Sequence, residues 1–155
     1  MGEVLTSTTL AIIKPDAIER KLVGAIFTEI EQAGFSLRSV RSGWPAKEWW
    51  QRFYQEHVGR AYYETLIHFM VSGPVLVVIL QLETRNEEWK PGEPSPAVRL
   101  WRGLMGASRL SNRIPGTIRH RFAMGQPEFR NLVHGSDSDQ AVEREIILTG
   151  TVGLS

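Results

Sequence analysis

The stretch Asn131-Leu132-Val133-His134-Gly135-Ser136-Asp137-Ser138 holds the densest set of reactive side chains in the sequence. A histidine closes a short apolar run and is followed by glycine and by serines able to cap a helix. A helix start offers unpaired N–H groups and partial positive charge, and both favour bound phosphate. Neutral imidazole is available near pH 7, so a histidine there can act as a nucleophile without a strong base beside it. A solitary histidine can equally be structural, and His57, His68 and His120 are assigned no function.

Upstream, Ile114-Pro115-Gly116-Thr117-Ile118-Arg119 reads as a Pro-Gly turn presenting an arginine, and Lys14 ends an apolar run beside Pro15. Lys14, Arg102, Arg119 and the Ser108 hydroxyl are together the donors that a transferring phosphoryl group needs on its equatorial oxygens. From Pro94 to Pro127 there is no Asp or Glu, although Arg99, Arg102, Arg109, Arg113, Arg119 and Arg121 all lie there. Such a run points to an anionic partner, namely phosphate, a nucleotide or nucleic acid, or to a solvated face whose acids come from elsewhere in the fold. No GxxxxGK[ST] and no GxGxxG occurs, so a phosphate site has to be built from side chains.

The 155 residues, 42% hydrophobic and 23% charged with net charge +1, suit one globular domain spanning residues 1–155. The absence of cysteine excludes disulfides, thiolate metal sites, Fe–S clusters and cysteine nucleophiles, and fits a reducing compartment such as the cytoplasm. The longest apolar run, Pro74 to Leu80, is strand length, so no membrane association is expected. MGEVLT lacks the basic and apolar regions of a signal peptide. It meets the loose pattern for N-myristoylation, but an unmodified start is the simpler reading.

The elements that must position these residues follow from periodicity. TTLAIIKP reads as a buried strand stopped by Pro15, with Asp16 placed to cap the helix that carries Val23, Ile26, Phe27 and Ile30 to about Gly34. Phe35 to Val40 alternates as a strand. Pro45 suits a helix start, with Trp50, Phe53, Tyr54 and His57 on one face, and a further helix bears Tyr63, Leu66, Ile67 and Met70. SGPVLVVIL is a central strand, and Glu83 to Pro96 a long connection. Ala97 to Met105 reads as helix, Gly106 to Gln126 as irregular and NLVHGS as a last short strand. Ser138 caps a helix to about Ile147, and TGTVGLS is a tail. This order describes a split βαβ pair, a ferredoxin-like α/β sandwich with a four-stranded antiparallel sheet covered by helices.

The segments AIIKPDA, SGPV, PGTIR and NLVHGSDS, in that order, resemble the signature segments of the nucleoside diphosphate kinases, over Thr8 to Ile147. The resemblance implies a two-step exchange that maintains nucleotide pools. His134 takes the γ-phosphate of ATP or another nucleoside triphosphate as phosphohistidine and returns it to a nucleoside diphosphate. Mg²⁺ bridges the phosphates, with no protein side chain as its ligand. Lys14 matches the family's lysine at the ribose hydroxyl and phosphate, Asn131 its ribose-binding asparagine, and Arg102 and Arg119 its phosphate arginines. Ser108 stands where threonine is usual, and Tyr62 at the aromatic position that stacks on the base. Tyr54 and Glu145 match residues that hold the catalytic ring, with Ser136 beside them. The resemblance also implies a homo-oligomer, a tetramer or hexamer.

Each match has a duller counterpart: Tyr54 and Tyr62 as core, Ser136 as a helix cap, Glu145 as a solvated helix residue. A non-catalytic module holding RNA or DNA with the arginine run is the contrasting reading. It lacks the aromatic RNP signature such sheets display, so nucleic acid is not expected. Three departures from the family stand out. His120-Arg121-Phe122 replaces Gly-Asp-Phe after PGTIR, the Glu83 to Val98 connection is longer than usual, and Arg109-Leu110 replaces an Asn-Pro step. Surface loops lengthen at little thermodynamic cost, so the long connection reads as inert, whereas losing the proline loosens a segment used in oligomers.

Overall fold

The computed structural model describes residues 2–85 and 89–150. Strands β1 (Val4–Ile13), β2 (Ser36–Gly43), β3 (Val75–Arg85) and β4 (Val133–Gly135) form one sheet in the order β2-β3-β1-β4, with every neighbouring pair antiparallel. This is the ferredoxin-like arrangement expected from the sequence.

Helices cover both faces, which is why β1 from Leu10 to Ile13 and β3 from Val75 to Leu80 are continuously apolar. Alternate residues of β1 feed two cores. Ala11 and Ile13 pack with Ile26, Ile30, Trp101 and Met105, while Leu10 and Ile12 pack with Trp50, Phe53, Ile67 and Met70. The first core holds residues of α1 (Pro15–Glu19), α2 (Val23–Gln32), α5 (Pro96–Met105) and α6 (Ile118–Ala123). The second holds residues of α3 (Lys47–Phe53) and α4 (Tyr63–Met70). The last helix, α7 (Asp139–Gly150), follows β4 directly.

Several boundaries differ from the sequence reading. β1 starts at Val4 rather than Thr8 because it pairs with β3 as far as Val4 opposite Arg85, so Glu83, Thr84 and Arg85 are strand and not connection. The helix after Pro15 is broken into α1 and α2, with Lys21 at φ 58° between them. Asp16 is not a cap. Lys14 occupies the cap position, and the fully buried Asp16 carboxylate instead accepts from the Leu132 N–H at 3.1 Å.

Gly106 to Gln126 is not wholly irregular. It contains a 3-10 turn at Leu110–Asn112 and the six-residue α6, capped by Thr117, whose hydroxyl accepts from the His120 N–H at 3.3 Å. β4 is only three residues long, and α7 runs past Ile147 to Gly150. Ser138 does cap α7, accepting from the Ala141 N–H at 3.1 Å. Residues 151–155 of the expected tail and residues 86–88 of the long connection lie outside the described residues. From Trp89 the connection leads to Ser95, whose N–H donates to Asp139 Oδ2 at 2.8 Å. Among the described residues no helix is long and apolar enough to cross a membrane.

Candidate active site

The site is built where β4 meets the end of β1. Val133 N–H donates to the Asn131 carbonyl at 2.9 Å, and Leu132 between them has φ 76°. This is a γ-turn with a branched residue in the left-handed region, a conformation costing about 1–3 kcal/mol and held only by its surroundings. The surroundings are specific. Leu132 N–H is taken by Asp16, and its carbonyl accepts from Lys14 N–H at 2.9 Å. The turn breaks the strand early and sets Asn131 one side of it and His134 the other.

Asn131 Oδ1 accepts from Lys14 Nζ at 2.9 Å. Lys14 is buried, and this burial, with the Arg119 cation adding to it, pushes its ammonium down to about 7; Asp16 opposes the shift. Arg119, at the start of α6, is buried as well. Its Nε donates to the Asn131 carbonyl at 3.3 Å and Nη2 to the Val133 carbonyl at 2.6 Å. Nη1 reaches the Gly106 carbonyl at 2.8 Å and Ser108 Oγ at 3.3 Å. Burial and then Arg113 lower Arg119 to about 10, so it remains a cation at neutral pH. Lys14, Asn131, Arg119 and Ser108 are thus one hydrogen-bonded set.

His134 sits on β4 opposite Ile12 of β1. Its Nε2 is hydrogen-bonded to Glu145 Oε1 on α7, a buried carboxylate that needs such a partner. Trp101 Nε1 donates to the His134 carbonyl at 3.2 Å, and Phe53 and Tyr54 meet the imidazole edge-on, with centroids at 5.1 and 5.9 Å. Gly135 is required by packing: a Cβ there would lie 2.5 Å from Met105 Cε and 2.6 Å from Trp101 Cδ1.

Two hydroxyls of the sequence-predicted set, Tyr54 OH and Ser136 Oγ, are buried with no hydrogen-bond partner among the described residues. Burial, with Glu145 next, pushes the Tyr54 phenol up, so it stays protonated. Unpaired buried donors beside a cluster of cations are what an anionic ligand would satisfy.

Arg102 approaches the Asp137 carbonyl with Nη1 at 3.5 Å, which places its guanidinium beside the His134 segment. Tyr62 stands apart from the polar set and is 48% exposed. It joins the site through rings: its hydroxyl is hydrogen-bonded to His57 Nδ1, and His57 meets Tyr54 at 5.7 Å. His57, passed over in the sequence, therefore bridges Tyr62 to the aromatic wall of His134. Its signal was the Tyr54, His57 spacing of three. Burial, followed by His134, lowers its imidazole from the ordinary value.

The departures noted in the sequence have structural answers. Arg121 forms an ion pair with Glu29 of α2 and lies 4.8 Å over the Phe122 ring. Leu110, lacking proline's blocked nitrogen, donates its N–H to Glu128 Oε1 at 2.8 Å.

No three of the His, Asp and Glu side chains among the described residues form a group able to hold a metal. The donors of the site are cations and hydroxyls, which suit phosphate oxygens.

Fold and site together define a nucleotide-handling α+β protein with a carboxylate-held histidine on the edge strand β4 of its sheet. Residues 7–149 match the family model described as nucleoside diphosphate kinase. The chain is 39% identical over 141 residues to a nucleoside diphosphate kinase of Thermoanaerobacter sp. (strain X514), covering 91% of this chain and 94% of that one. It is 40% identical over 138 residues to the enzyme of Glaesserella parasuis serovar 5 (strain SH0165), covering 89% and 90%. The apo crystal structure of nucleoside diphosphate kinase from Encephalitozoon cuniculi superimposes with a TM-score of 0.79 at 27% identity, covering 96% of this chain and 91% of that one. The chain belongs to the nucleoside diphosphate kinase family, enzymes that move a phosphate between nucleoside triphosphates and diphosphates.

Proposed function

We propose that this protein transfers the γ-phosphate of a nucleoside triphosphate to a nucleoside diphosphate through phosphohistidine at His134. The observation that carries the reading is the engagement of Nε2 by Glu145, which leaves Nδ1 as the nitrogen with no protein partner among the described residues. The Nδ1 lone pair attacks the γ-phosphorus, the bond to the β-bridging oxygen breaks, and the diphosphate departs with that electron pair. Glu145 steadies the positive charge that the ring gains as the N–P bond forms. The second half-reaction runs the same steps in reverse with a different diphosphate.

Arg119, Ser108, Arg102 and Lys14 are assigned to the phosphate oxygens, and Lys14 and Asn131 to the ribose. Ser136 and Tyr54 add hydroxyl donors at the imidazole. Tyr62 is assigned to the base, where stacking tolerates purines and pyrimidines alike. Mg²⁺ belongs to the substrate: it enters on the nucleotide phosphates and neutralises part of their charge. The setting is one domain acting in the cytoplasm to keep nucleotide pools in balance. It assembles as a tetramer or hexamer, for which the edge strand β2, with Val40 and nearby Trp44 exposed, offers a contact surface.

Incubation with γ-labelled ATP and Mg²⁺ should give an acid-labile, base-stable phosphoprotein that a nucleoside diphosphate discharges. His134→Ala should abolish the label with folding intact, and labelling that survives the change defeats the assignment.

A further inference from the structure

We propose that Arg113 is a positioning residue that clamps the phosphate-binding turn from the side opposite Arg119, so that Ser108 and Arg119 are held in place within a single chain. The proposal rests on the reading of those two residues as phosphate ligands.

Arg113 is only 7% exposed, yet it makes no ion pair among the described residues. Its Nε donates to the Ala107 carbonyl at 3.3 Å, Nη2 to the Ser108 carbonyl at 3.0 Å and Nη1 to the Ala123 carbonyl at 3.2 Å. Ala123 ends α6, where carbonyls lack intrahelical partners, and Arg119 lies near the other end of the same helix. Arg119 in turn holds the Gly106 carbonyl and Ser108 Oγ. The contacts therefore close a ring: Ser108 to Arg119, along α6 to Ala123, across Arg113 and back to Ser108.

A planar guanidinium with five donors in a fixed fork can serve three carbonyls at once, which a lysine ammonium on a flexible stem does poorly. Without Arg113, the Ala107 and Ser108 carbonyls lose this donor and the Ala123 carbonyl keeps only the Gln126 N–H at 3.3 Å, so the turn is held by Arg119 and by the Leu110 bond to Glu128, with nothing tying it to the end of α6. Arg119 is also the group asked to meet the substrate.

The expected kinetic signature follows from population. A turn that is competent for only a fraction of the time weakens apparent binding by that fraction and leaves the saturated complex unchanged. Donor and acceptor use the same cradle in turn, so KM for ATP and KM for dTDP should rise by the same factor. A change that merely left fewer folded molecules would lower kcat and leave both KM values alone.

The test compares the full-length protein with Arg113→Ala and Arg113→Lys. In Arg113→Ala both KM values should rise together, by about tenfold, with kcat largely kept and Arg113→Lys intermediate. Hydrogen exchange read without nucleotide should show amides 107–112 opening about tenfold faster, with β1 and β3 unchanged. If Arg113→Ala does not fold, Arg113→Lys decides by the same readings. Unchanged KM values and unchanged exchange in a folded variant overturn the proposal, as does a loss confined to kcat. Exchange needs no substrate, so it judges the clamp even if His134 takes no label, which is the separate failure of the reaction reading.

Discussion

Glu145 Oε1 and His134 Nε2 are hydrogen-bonded across the junction of α7 and β4, so the carboxylate fixes both the tautomer and the tilt of the imidazole. Removing the charge should loosen the ring. Glu145→Gln is expected to slow phosphohistidine formation by about 10²-fold, the order seen when a reacting group is displaced by about 1 Å. Single-turnover labelling measures it, and a rate equal to that of the unaltered protein removes Glu145 from the machinery.

Arg119→Ala should lower kcat by about 10²–10³-fold, as for other donors aimed at developing phosphate charge. Arg119→Lys should recover little, because one ammonium cannot replace a fork that reaches Asn131, Gly106, Ser108 and Val133. Melting curves run alongside separate chemistry from folding. Full activity in a folded Arg119→Lys protein contradicts this account.

Tyr62 separates stacking from hydrogen bonding. Tyr62→Phe keeps the ring and loses only the bond to His57, whereas Tyr62→Ala loses the platform and about 1–3 kcal/mol of nucleotide affinity per base stacked. Binding of ADP, GDP and dTDP should weaken to a similar extent in Tyr62→Ala. A loss seen with one base only would mean that Tyr62 reads base edges instead.

With Lys14 assigned to the nucleotide, binding should be sensitive to pH. Burial holds its ammonium near about 7, against an ordinary value of 10.5, so at about pH 8 the empty site contains mostly neutral amine. A bound phosphate favours the charged form, and binding should therefore take up a proton and weaken as pH rises above 7. For stability the sign is opposite. Between about 7 and 10.5 the unfolded chain binds more protons, so folding strengthens as pH rises through that window. Calorimetry in two buffers of different ionisation heat reads the uptake, and no difference between them contradicts the assignment.

The central strands, the amphipathic helices and the His134 segment were legible because each is a local pattern: apolar runs, 3.6-residue spacing, and a glycine where Trp101 and Met105 leave no room for a Cβ. The nonlocal features were not legible. Pairing with β3 extends β1 back to Val4, and no periodicity in VLTS announces it. The demand for an acceptor at Leu132, 116 residues away, takes Asp16 out of its capping role. The six residues of α6 are too few to show a helical stripe. His57 looked idle because its importance lies in Tyr54 and Tyr62 meeting it in space.

The bond from Lys14 to Asn131 spans 117 positions, and β4 is a three-residue strand laid against the far end of β1. During synthesis the lysine emerges 117 residues before its amide partner, with Glu145 later still. A ribosome-bound chain that stops short of α7 would carry Lys14, Arg102, Arg119 and Asn131 without the carboxylate hydrogen-bonded to His134. Catalytic competence should therefore switch on abruptly, once α7 has emerged and docked, rather than accumulate as the polypeptide lengthens.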